Sequence, residues 1–181
     1  METIAAHNSE KEGRNMFSSA PGSVETKKEK TVVQNRQFCT FWLSGRLFGV
    51  QILDVKEIHP EVAITPIFHA PREVKGYVNI RGQVYLILDL RPMLGFESKE
   101  IDRKSCLVIF KTNVGESFGV LVDQIGDVVE ISSDQIESGG GDGGGQDKMG
   151  SAGMVQSVCK LPQSLLVVLD ARKFLGSLEI K

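Results

Sequence analysis

The chain has 181 residues, with 21 Lys and Arg against 23 Asp and Glu, a formal net charge of −2. An apolar fraction of 41% is enough for a core and excludes a wholly disordered chain. The near-neutral charge speaks against a strongly basic nucleic-acid surface. Cys39, Cys106 and Cys159 are scattered and lack Cys-x-x-Cys spacing, which speaks against a zinc site or a disulfide framework and fits a reducing cytosol.

Residues 1–36 are polar, with six basic and five acidic residues and almost no apolar periodicity, and they predict a flexible tail. The run Lys27-Lys28-Glu29-Lys30 reads as a solvated charge cluster. The start of the chain lacks the basic and apolar blocks of a secretory signal. No apolar run exceeds five residues, the length of Val84–Leu88 and of Leu165–Leu169, against the ~20 that a membrane span requires. A cytoplasmic protein without membrane insertion is expected.

From Gln37 onward, short apolar runs rich in Val, Ile and Phe are broken by Gly, Pro and Asp, the pattern of an all-β sandwich or barrel. Strands are predicted at 37–44, 46–53, 62–67, 77–80, 83–89, 104–111, 117–123, 125–131, 154–160 and 164–170. Helical turns are expected at 90–94 and 171–176, with Asp89 and Asp170 as their N-caps. Eight of the fifteen residues in 139–153 are glycine. Glycine loses the most conformational entropy on ordering, so a flexible loop is expected there. No Gly-Lys-Ser or Gly-Lys-Thr follows, which speaks against a phosphate cradle.

The β region carries an internal repeat. Phe48-Gly49-Val50 is echoed by Phe118-Gly119-Val120, and Asp54-Val55-Lys56-Glu57-Ile58 by Asp127-Val128-Val129-Glu130-Ile131. Val84–Leu94 aligns without a gap to Leu165–Leu175. Each ~65-residue unit is too small for much core of its own, so the two should pack together and fold as one.

Several stretches are specific in combination: Val55-Lys56-Glu57-Ile58, Ile64-Thr65-Pro66, Ala70-Pro71-Arg72 running on to Asn79-Ile80-Arg81-Gly82, and Leu88-Asp89-Leu90-Arg91. Together they closely resemble the CheW-like domain of bacterial chemotaxis coupling proteins, from about Gln37 to Leu175. Phe68 departs from the proline frequent at that place, and 139–153 is longer and richer in glycine than usual. The resemblance implies two packed five-stranded SH3-like β-barrels, the first about 37–96 and the second about 104–170. A closing helical turn at 171–176 completes a domain spanning 37–176. With no kinase ATP-binding region before it and no receiver domain after it, a stand-alone member is expected.

The same resemblance implies an adaptor without enzymatic activity, metal or cofactor, monomeric when isolated. Its partners would be the histidine kinase CheA, through that kinase's own CheW-like regulatory domain, and the cytoplasmic tips of chemoreceptors in membrane-bound arrays. The residues implied at those contacts are Val55, Glu57, Ile58, Val78, Asn79, Arg81 and Gly82.

Physical chemistry supplies a reading for each. Gly82 can take positive φ, so Arg81-Gly82 makes a tight hairpin turn with the Arg81 guanidinium at its tip, preorganised for a carboxylate. Glu57 has two open roles: a capping box with Asp54, or a surface pair with Arg81. Val55, Ile58 and Val78 are either core or the apolar centre of a contact. His59 and His69 have no partner spacing that supports catalysis or metal binding. The rival class is a small β-barrel nucleic-acid-binding module. It is disfavoured by 15 basic against 18 acidic residues in 37–181.

Overall fold

A computed structural model describes residues 35–60, 63–138 and 153–178, all within the unit Val33–Lys181. The tail expected at 1–36, apart from its last two residues, and the loop expected at 139–153, apart from Gly153, lie outside the described residues. So do Glu61 and Val62.

Apolar runs without alternation become strands buried on both faces: β6 (Cys106–Phe110) and β7 (Phe118–Val122) are buried at every position. Strict alternation becomes a half-exposed strand. In β4 (Val74–Ile80) Gly76, Val78 and Ile80 are buried while Tyr77 and Asn79 face outward. The others are β1 (Asn35–Leu43), β2 (Arg46–Gln51), β3 (Val55–His59), β5 (Gln83–Asp89), β8 (Gln124–Ser132), β9 (Ile136–Ser138), β10 (Val155–Lys160) and β11 (Leu165–Leu169). A short helix, α1 (Leu90–Met93), follows β5, and 3-10 turns at Ala171–Lys173 and Leu175–Ser177 follow β11. Both expected caps are formed: the Asp89 carboxylate accepts from the Arg91 N–H, and that of Asp170 from the Arg172 N–H.

Three local expectations fail. Of the strand expected at 62–67, the described residues 63–67 form none; only Thr65 pairs, in an isolated bridge to Tyr77, and Pro66 beside it has no N–H to donate. In place of a capping box, Asp54 ends the 3-10 turn Ile52–Asp54 and Glu57 lies in β3. Neither β3 nor the three-residue β9 was anticipated as a strand.

The strands form two sheets, ordered β8-β1-β2-β11-β10-β9 and β3-β6-β7-β5-β4. The expected all-β fold of two β units holds, its strands forming two sheets, but the sheets do not follow the chain-continuous division into 37–96 and 104–170. Each combines the first two strands of one repeat with the last three of the other, joined by parallel pairs, β2 with β11 and β5 with β7. A hairpin such as β1–β2 cannot bury its apolar face alone. The 3-10 turn after β2 sends β3 into the second sheet, so each hairpin completes its layer with strands from the other half. The first sheet has six strands because β9 pairs along the edge of β10.

The pairing also corrects the register of the repeat. Ile58 opposes Val108, which opposes Val120; Val128 opposes Cys39, which opposes Val50. Ile58 therefore corresponds to Val128, three residues from the Ile131 that letter matching suggested.

The core is shared between the layers. Phe110 stacks on Phe118 at 5.0 Å between ring centroids and meets Phe174 edge-on at 5.8 Å. Two charged latches join the layers. Arg91, following β5, is fully buried; its Nη1 lies 3.1 Å from both Asp89 oxygens and its Nη2 bonds Asp123, which precedes β8. Lys75 Nζ lies 3.1 Å from Asp89, and Asp123 accepts from the Ser44 N–H at 2.7 Å. The counterpart is Arg172, following β11, whose Nη2 is 3.0 Å from Asp54, which precedes β3. Arg172 is half exposed while Asp54 is buried. Arg172→Ala and Asp54→Ala should each cost about 1–2 kcal/mol in urea titrations, with a double-mutant cost below the sum.

Gly76 marks the tightest backbone approach near the hairpin. Its φ is +142°, and a Cβ there would run into the Thr65 carbonyl, which accepts from the Tyr77 N–H at 2.8 Å. Gly76→Ala should cost about 2–3 kcal/mol, read as a lowered denaturation midpoint at unchanged m-value.

Candidate docking site

The β4–β5 hairpin closes through two residues, Arg81 and Gly82, between the paired Ile80 and Gln83. Their φ values are +51° and +86°. Positive φ at both central positions is the type I′ pattern, whose twist matches that of the strands. The sequence reading assigned positive φ to Gly82 alone; Arg81 shares it. The turn is locked by Asn79, whose Oδ1 accepts from the Gly82 N–H at 2.9 Å. Asn79 therefore shapes the corner, and Gly82 contributes backbone only.

Arg81 projects from the tip with 81% of its side chain exposed, and its Nη1 lies 3.4 Å from Glu57 Oε2. Of the two roles open to Glu57, the pair with Arg81 is formed. This pair crosses from the edge strand β3 to the hairpin at the opposite end of the sheet order, so side chains close the layer where backbone bonds do not. Lys56 crosses the same gap: its Nζ donates to Gln83 Oε1 at 3.1 Å and to the Tyr85 hydroxyl at 2.5 Å, and sits 5.2 Å from the Tyr85 ring centroid. An exposed pair such as Arg81–Glu57 adds ~0–1 kcal/mol to stability, so the guanidinium keeps most of its capacity for a partner.

His59 was considered in the sequence only as a catalytic or metal group. Its Nε2 approaches Glu57 Oε2 at 3.0 Å without the alignment of a hydrogen bond. The imidazole first, and the Arg81 and Lys56 charges after it, hold the Glu57 carboxyl below its ordinary value. Glu57 thus favours the folded state above the carboxylate range, and that small contribution is lost as pH falls through its lowered pKa.

Of the apolar residues expected at the contact, only Ile58 reaches the surface, at 40% exposure. Val55 and Val78 are corrected to core: Val78 alternates inward between Tyr77 and Asn79, and Val55 enters the shared cluster at a β-bulge. Near the corner, the sequence reading missed two exposed apolar residues, Tyr77 and Val84, on the outer face of the hairpin, with Val84 opposite Asn79. Alternation away from Val78 and Tyr85 was the signal that could have found them. Among the described residues no cluster of three or more His, Cys, Asp or Glu could hold a metal. Burial pushes the Cys39 and Cys159 thiols up, away from the reactive thiolate.

The family model described as "CheW-like domain" matches residues 37–179. The chain belongs to the CheW-like domain family. The CheW-like region resembles chemotaxis protein CheW of Klebsiella aerogenes, 30% identical over 102 residues, covering 56% of this chain and 60% of that protein. It also resembles chemotaxis protein CheW of Treponema pallidum, 28% identical over 149 residues, covering 80% of this chain and 85% of that one. The alignments thus span from about three fifths of a relative's length to most of it. The same fold occurs in the crystal structure of the scaffolding protein TtCheW from Thermoanaerobacter tengcongensis. The TM-score is 0.67 at 22% identity, covering 78% of this chain and 92% of that one. No helix among the described residues of this CheW-like chain is long and apolar enough to cross a membrane.

Proposed function

We propose that this chain is a non-enzymatic adaptor that couples chemoreceptors to the histidine kinase CheA in bacterial chemotaxis. Membership of the CheW-like family supports the reading, as do relatives named chemotaxis protein CheW. The observation that carries it is the exposed Arg81 guanidinium on a locked type I′ turn, braced by Glu57 and flanked by Ile58, Tyr77 and Val84. A charged tip beside exposed apolar residues on a rigid sheet is the anatomy of a protein contact.

An adaptor acts by raising the effective concentration of one partner at another, with receptor state passed on through contacts that differ between states. The kinase contact is assigned to CheA's CheW-like regulatory domain and the receptor contact to the cytoplasmic helical tip. The chain would work at the cytoplasmic face of membrane-bound arrays. Purified chain mixed with a receptor cytoplasmic fragment and CheA should give a ternary complex on a sizing column, which neither protein forms as fully alone. Failure to bind either partner, or salt-sensitive retention of RNA instead, overturns the proposal.

A further inference from the structure

We propose that His59 is a positioning residue of the docking corner: when charged, its imidazole draws Glu57 and releases the Arg81 guanidinium to an acidic group on the partner. This rests on the docking role proposed above for Arg81.

The geometry centres on one atom. Glu57 Oε2 lies 3.0 Å from His59 Nε2 and 3.4 Å from Arg81 Nη1. A single carboxylate oxygen faces two nitrogens, one of them on an imidazole, the side chain that changes charge between pH 5 and 8. Two cations sharing one oxygen compete for it, and the nearer gains more on becoming charged. His59 Nε2 is shielded from solvent and makes no aligned hydrogen bond, so Glu57 is the acceptor within reach. Arg81, largely in water, is free to leave.

The surrounding charges do not mask the effect. On β3 itself they are Lys56 and Glu57, and the Lys56 ammonium is engaged by Gln83 and Tyr85. From the β4–β5 hairpin the charge is Arg81. From β6, the residues opposite Ile58 and His59 are Val108 and Leu107, neither charged. The Glu57 carboxyl, held below its ordinary value, stays ionised across the range in which imidazoles titrate.

The test compares wild type with His59→Gln, which keeps a hydrogen-bonding side chain but cannot charge. Binding to the CheW-like regulatory domain of CheA is measured from pH 8 to pH 5.5. Wild type should bind about two- to five-fold more tightly at the lower pH, the scale of an exposed pair. The variant should be flat after subtraction of the partner's own titration. Equal pH slopes in the two proteins overturn the proposal. A second readout needs no partner: the Arg81 Nε–Hε resonance of the free protein should move with pH in wild type and stay still in His59→Gln. A stationary wild-type signal also overturns the proposal. A titrating signal in a chain that binds at no pH would sustain the Glu57 exchange and sink the docking role instead.

Discussion

Arg91→Met will destabilise the fold by about 3–5 kcal/mol, the cost of leaving partners of a buried ion pair uncompensated. The guanidinium is fully buried between Asp89 and Asp123, so its removal strands the buried Asp89 carboxylate and leaves the largely covered one of Asp123 without its main partner. Lys75 reaches Asp89 and compensates in part, whereas Asp123 keeps the Ser44 N–H and the more distant Lys99, 3.9 Å away. The loss should appear as a lower urea midpoint at constant m-value. The control is a triple variant with Asp89→Asn and Asp123→Asn added, which removes the stranded charges and should recover a large part of the stability. A triple variant no more stable than Arg91→Met would locate the cost in packing rather than in charge. The latch joins the end of β5 to the start of β8, so its loss should loosen both layers in one transition rather than two.

Arg81→Glu should abolish measurable binding to the proposed partners, a loss of about 100-fold or more, while changing stability by less than about 0.5 kcal/mol. The side chain is largely exposed, its tie to Glu57 is weak, and reversal puts a second carboxylate where a partner's is expected. Arg81→Gly separates the two effects further. It relieves a positive-φ backbone that glycine adopts readily and should raise stability by about 0.5–1 kcal/mol, yet it removes the guanidinium and should weaken binding. Thermal melting beside calorimetric titration reads both. Loss of binding accompanied by unfolding in Arg81→Glu would make the residue structural, and unchanged binding would remove it from the site.

Local signals carried much of the fold. Alternation around Val78 and the apolar runs 106–110 and 118–122 marked strands, because side-chain direction along a strand has a fixed period. Asp89 and Asp170 marked the helical turns, because a cap needs only its own carboxylate and an N–H two residues on. Arg81-Gly82 marked the corner, because a two-residue hairpin restricts its backbone to a few shapes. The same reasoning left Glu57 between a cap and a pair with Arg81, because Asp-x-x-Glu is equally compatible with a cap and with a strand edge. It also left Val55 and Val78 open, since an apolar residue does not declare its face until the pairing partners are known.

Local chemistry therefore settled most of the strands, the caps and the hairpin corner, but not β3 or β9. Which strands lie side by side was decided only in three dimensions. The parallel pairs β2–β11 and β5–β7 join residues more than a hundred and about thirty positions apart through backbone groups that every residue carries, so no side chain announces them. The three-residue slip that matched Ile58 to Ile131 in place of Val128 was hidden for a related reason: β8 runs nine residues against five in β3, and its repeated Val and acidic positions match at more than one offset. Closure of the layer settled the site as well. Arg81, Glu57 and His59 meet because β3 folds back on the hairpin from the far end of the sheet order, where unpaired edges and the charges on them are brought together.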